Sequence, residues 1–172
     1  MTSKENFIAL LEQETPVFCS CFRAVPDERS DYTPNPRNKT AKQLVEHILG
    51  HLPDAVEAIT EPMINHRLEI PVNNMEEAAD LFEKDSKALI AKLKVTPDDI
   101  WDNKITPVFI FGNEIPGMTM PLRDLSWLML RDMIHHRGQL SVYYRQMGVR
   151  NPSIYGPTSE IMEEMMASNG AH

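Results

Sequence analysis

Apolar positions recur at helical spacing through most of the chain. Phe7, Leu10, Leu11, Phe18, Cys21, Phe22 and Val25 keep one phase, which predicts a first helix starting near Ser3. Pro16 falls inside that pattern and predicts a kink or a division, because it has no N–H and crowds the preceding turn. Residues 27–39 are rich in Pro, Asn, Asp and Arg and lack a period, so they read as loop. Thr40 with Gln43 is a capping-box signature ahead of Val45, Ile48, Leu49, Leu52 and Val56. A second helix starts there, with a kink or restart expected at Pro53 and an end at Pro62. Asn73 or Asn74 caps a third helix, from about Met75 to Lys94, and Thr96-Pro97-Asp98-Asp99 terminates it.

The pattern then changes. Val108-Phe109-Ile110-Phe111 is β-prone, Gly112-Asn113 is a turn pair and Glu114-Ile115 follows, which suits a small hairpin or ordered loop. Pro121 suits the first turn of a long helix that runs to about Met147 and is closed by Gly148. Ser159 opens a last, short helix containing Met162, Met165 and Met166, with a frayed tail from Ser168. Four substantial helices predict an all-α fold, a four-helix bundle with a short C-terminal helix and a small hairpin. The 172 residues fit one domain over 1–172, long enough to bury a core without staples.

Charge and composition narrow the function. The chain is 42% hydrophobic and 24% charged, and its apolar runs are too short to span a bilayer. No signal-peptide core follows the polar N-terminus, so a cytoplasmic protein is expected. The net charge is −8 and the basic residues are scattered, which argues against a nucleic-acid partner. Cys19 and Cys21 point in different directions on a helix and read as reduced core thiols.

The long helix carries the most informative stretch. Leu125, Leu128, Met129, Asp132, His136 and Leu140 share one stripe, and an Asp and a His amid apolar neighbours need an explanation. They can simply bond to each other, or pair with an Arg on a neighbouring helix. They can also be two ligands of one metal ion, at about 2 Å from each. His47 and His51 are likewise four apart on the second helix, and bundle cores build metal sites from facing helices. Ile48 stands where a metalloprotease His-Glu-x-x-His motif needs Glu, so protease chemistry is not supported. His135 points about 100° away from His136 and is a flanking or surface residue. His66, in a loop, and the terminal His172 are set aside. Arg137 is expected to pair with Glu46 or Asp132, and Tyr143, Tyr144 and Trp127 read as packing residues.

The segment from His135-His136-Arg137-Gly138-Gln139-Leu140 to Gly148 resembles the DinB/YfiT-like family. Ala41 to Ile48, Val25-Pro26-Asp27-Glu28 and Asp31-Tyr32-Thr33-Pro34 add to the likeness, in the expected order. The resemblance implies a four-helix bundle with long crossover connections, often a homodimer. It also implies a divalent metal, zinc or nickel foremost, held by three histidines. His47 and His136 match two of these, and Asp132 stands where the third is expected. An Asp can still ligate, with manganese or iron then more acceptable. Alternatively, His51 completes the set, or the site holds no metal. Family members with known activities are thiol-dependent transferases and isomerases, in which the metal activates a low-molecular-weight thiol. A coordinated water would instead give hydrolysis. The expectation is thus a metal-dependent enzyme acting on a small molecule, with no catalytic side chain assigned. The competing expectation is a non-catalytic, dimeric bundle that binds a ligand or partner and carries a degenerate metal site.

Overall fold

The computed structural model describes residues 1–112 and 115–169. Four long helices carry the architecture: α1 (Ser3–Arg23), α2 (Ala41–Thr60), α3 (Met75–Val95) and α5 (Leu122–Gln146). Between α3 and α5 lie a short helix α4 (Asp98–Asn103) and the strands β2 (Ile105–Phe109) and β3 (Met118–Pro121). Strand β1 (Ile64–Asn65) follows α2, and α6 (Ser159–Asn169) follows α5. Among the described residues, no helix is long and apolar enough to cross a membrane.

Both α1 and α2 pack principally on α3 and α5. Helices α1 and α2 therefore sit diagonally in the bundle, so the chain between them has to cross it. This is why residues 24–40 form a long connection rather than a tight turn. Phe18, Phe22, Leu44, Ile48, Phe82, Leu125 and Leu140 are among the side chains that fill the interior. Burial of such large apolar groups supplies the main driving force for the assembly.

The expected caps are in place. Thr40 and Gln43 form a reciprocal capping box, and the Asn74 side chain accepts the Glu77 N–H. Gly148 at φ 73° ends α5, with its N–H to the Arg145 carbonyl and the Val149 N–H to the Tyr144 carbonyl. That pair of bonds satisfies carbonyls a helix end leaves free.

Several local expectations need correction. Neither Pro16 nor Pro53 divides its helix. Each removes a single backbone bond, while buried residues continue on both sides, Leu11 and Phe18 around one and Leu49 and Ala55 around the other. Pro97 does end α3, but it also caps α4, whose Trp101 is buried against Phe7. The hairpin is real and starts earlier than the apolar run suggested: Ile105 pairs with Pro121 and Val108 with Met118. Phe111 and Gly112 both have positive φ, 59° and 67°, where the chain turns away from β2. The predicted turn residue Asn113 and the following Glu114 lie outside the described residues, as does His172. Strand β1 was not anticipated. It pairs in parallel with β2, Ile64 opposite Val108, and so ties the α2–α3 connection to the hairpin.

Candidate metal centre

Helix α2 presents His47 and His51 one turn apart, and α5 presents Asp132 and His136 in the same way. Because α2 packs directly on α5, these four side chains meet. The imidazole Nε2 atoms of His51, His136 and His47 lie 2.9, 3.2 and 3.4 Å from a single atom, Asp132 Oδ2. His51 is buried, and the other three are half-buried.

Their far sides are already committed. His47 Nδ1 lies 2.6 Å from the Leu68 carbonyl oxygen, which can only accept, so Nδ1 carries the proton. Gln139 donates its amide to His135 Nε2 at 3.1 Å and accepts from His136 Nδ1 at 2.8 Å. In the neutral rings, both His47 Nε2 and His136 Nε2 are therefore lone pairs aimed at a carboxylate oxygen. Acceptors facing acceptors are repulsive unless a cation or added protons lie between them.

The electrostatics follow from this geometry. Asp132 is held far below the ordinary carboxylate range, chiefly by hydrogen bonding with His136, then with His47 and His51. His136 is raised, because Asp132 stabilises its charged form. His51 is lowered, because burial outweighs the opposing pull of Asp132.

The donor set fits a divalent ion. His47, His51 and Asp132 each offer a ligand atom, all within 4.8 Å of one another. His136 lies outside that mutual trio and joins it through Asp132. Tetrahedral bonds of about 2.0–2.2 Å place neighbouring donors about 3.2–3.6 Å apart, near the 2.9–3.4 Å between Asp132 Oδ2 and the imidazole nitrogens. The Nδ1–H bonds to Leu68 and Gln139 are of the kind that orient metal-ligating histidines.

A family model described as the DinB family matches residues 1–168. The chain belongs to the DinB family. It is 26% identical to the uncharacterised protein YjoA of Bacillus subtilis (strain 168) over 129 residues, 72% of this chain and 77% of that protein. Over 83 residues it is 35% identical to YrdA of the same organism, 48% of this chain and 45% of YrdA, so that match spans under half of the relative. A DinB-like protein from Bacillus cereus ATCC 10987 superposes with a TM-score of 0.69 at 23% identity, covering 88% of this chain and 97% of that one. The solved structure of YjoA gives a TM-score of 0.65 at 22% identity, with 87% and 96% covered. At those identities the likeness speaks for the DinB fold.

Within this DinB fold, the predicted residues His47, Asp132 and His136 come together, and His51 joins them rather than replacing one. A cavity of about 220 Å³ opens beside them, lined by His51 and Asp132, by Leu125 and Met129, and by the hairpin residues Val108 and Ile110. His66 lines it as well, although sequence reasoning set it aside. Its ring stacks on His51 at 5.3 Å between centroids, and its Nδ1 lies 2.7 Å from the fully buried Asp54. The available signal was Asp54, an acid one turn beyond His51 on a buried face; nothing local tied His66 to it. Arg137 pairs with neither Glu46 nor Asp132. It reaches across to the buried Glu14 on α1, lies 4.4 Å from the Phe18 ring centre and bonds Tyr155. Residue 137 faces away from the stripe of Asp132 and His136, so its partner comes from another helix. His135 is exposed, as expected.

Proposed function

We propose that this DinB-family protein is a divalent-metal-dependent enzyme acting on a small molecule bound beside His51, His66 and Asp132. The observation that carries the reading is the convergence of three imidazole Nε2 atoms on Asp132 Oδ2. One divalent ion resolves that clash of lone pairs at a stroke. Asp132 pairs with no arginine among the described residues, which weighs against a merely structural role.

The donor set informs the metal. Four protein ligands saturate tetrahedral zinc, which keeps an open position only where one of the four stays off. Nickel accepts imidazole-rich sets and, with manganese and iron, takes higher coordination, leaving room for substrate. Nickel is the first choice on these grounds. When bound, the ion supplies the Lewis acidity that turns a thiol or water into a nucleophile at neutral pH.

The chain supplies the rest. Gln139 and the Leu68 carbonyl hold His136 and His47 in one tautomer and orientation. The apolar wall from Val108, Ile110, Leu125 and Met129 excludes water and seats an apolar substrate body. Thiol-dependent transfer or isomerisation, with a low-molecular-weight thiol as co-substrate, suits this arrangement, and so does hydrolysis. Metal analysis of purified wild type and His136→Ala tests the proposal. We expect near-stoichiometric metal in the wild type and a large loss in the variant; equal trace amounts in both would overturn it.

A further inference from the structure

Among the described residues, the pocket contains one polar side chain that the metal cluster does not use, His66. Strand β1 carries the chain into His66, whose N–H donates to the Phe109 carbonyl at 2.8 Å. Its ring is then fixed by Asp54. That carboxylate is fully buried and accepts from His66 Nδ1 at 2.7 Å, from the Arg67 backbone N–H at 3.0 Å and from the Arg67 guanidinium. Arg67 is shared between Asp54 and Glu57, and it anchors the Asp54 carboxylate from the side away from the ring. A carboxylate only accepts, so the Asp54 contact fixes a proton on His66 Nδ1, and in the neutral ring Nε2 carries the lone pair. Backbone, carboxylate and the stack on His51 together leave this ring little freedom.

Nε2 has no hydrogen-bond partner among the described residues, and His66 lines the 220 Å³ cavity. Nor is His66 part of the ligand group formed by His47, His51 and Asp132. The other walls of the pocket are mostly aliphatic or methionine side chains, Val108, Ile110, Met118, Leu125, Leu128 and Met129. A cavity of about 150 Å³ holds a benzene ring, and drug-sized ligands need about 300 Å³ or more. The space fits a compact molecule with one ring or a branched chain.

We propose that His66, locked by Asp54, is the ligand-orienting residue of this pocket. It accepts a hydrogen bond from the ligand, so that the pocket selects small molecules pairing an apolar body with a hydroxyl or N–H donor. The proposal deepens the reading above and rests on its pocket, while metal content separates the failure of one from the failure of the other. Donor-free analogues of the same shape leave Nε2 dry and unpaired, which is the usual source of such discrimination.

The test uses the full chain supplied with zinc, a closed-shell ion that keeps the NMR lines sharp, and two probes of matched shape, benzyl alcohol and ethylbenzene. Affinities are read from backbone amide NMR shifts. Relative to wild type, His66→Phe shifts the ratio of the two affinities about tenfold against the alcohol, and His66→Gln, which keeps an acceptor, restores most of it. Metal content stays at the wild-type level in both. In wild type, the ring ¹⁵N spectrum of His66 shows Nδ1 protonated, and Nε2 shifts with benzyl alcohol but not with ethylbenzene. That measurement stands even where a variant does not fold. The proposal is overturned by an Nε2-protonated ring, by an unchanged ratio, by neither probe binding, or by loss of metal in both variants, which would make His66 a ligand. A wild type without metal but with the predicted ratio overturns the metal-enzyme reading alone.

Discussion

Gly50 of α2 lies against the backbone carbonyl of Arg67, so close that a Cβ at position 50 would stand 2.3 Å from the Arg67 oxygen. This approach lets residues 66–68 run along α2. It puts the Leu68 carbonyl 2.6 Å from His47 Nδ1 and the Arg67 N–H 3.0 Å from Asp54. Gly50→Ala must push the segment away. We expect a loss of about 1–3 kcal/mol in denaturant unfolding. Metal content falls with it, because His47 loses the carbonyl that orients its ring.

Gln139 is not itself a ligand, yet its side-chain oxygen fixes the His136 ring. Gln139→Ala should weaken metal affinity by about tenfold to a hundredfold, the usual cost of removing such an orienting bond. Competition with a chelator measures it. Gln139 is exposed, so the melting temperature of the metal-free protein should hardly move.

Metal affinity should depend on pH in a particular window. His136 keeps its proton above the ordinary imidazole value of 6.5, because Asp132 stabilises the charged ring. His51, lowered by burial, has shed its proton at lower pH. A ligating imidazole must be neutral, so at His136 the proton competes with the metal. Affinity rises as pH climbs through the region above 6.5 and flattens once His136 is neutral. In His136→Ala the remaining, weaker affinity should lose this steep segment, which chelator titrations between about pH 6 and about pH 8.5 will show.

The Arg137–Glu14 pair links α5 to α1 with both side chains almost entirely buried. Arg137→Met strands the Glu14 carboxylate and should cost about 3–5 kcal/mol in urea unfolding. The double variant Glu14→Leu with Arg137→Met leaves no charge unpaired and should recover much of that loss.

Much of this architecture was legible along the chain. Capping signals at Thr40 and Asn74, the Gly148 stop and the 3.6-residue stripes located the long helices. These are local effects, carried by residues within a few positions of each other. Proline behaved differently. Pro16 and Pro53 were expected to kink or divide their helices, and packing on both sides of each kept the helices undivided. The i, i+4 pairs His47 with His51 and Asp132 with His136 were likewise visible, since helical spacing alone puts such residues on one face.

That both pairs face a common point depended on α2 seating directly against α5. Helix spacing within each segment carries no information on which helices become neighbours. His66 shows the same boundary more sharply. Its place beside the centre follows from β1 pairing in parallel with β2, more than 40 residues downstream, and from the bare Cα of Gly50 that admits the strand exit. Local spacing encodes helices and their faces because the interactions that form them span a single turn. Partnership between distant segments arises only when the bundle closes, and the pocket, its His66–Asp54 pair and the Glu14–Arg137 bridge come from that closure.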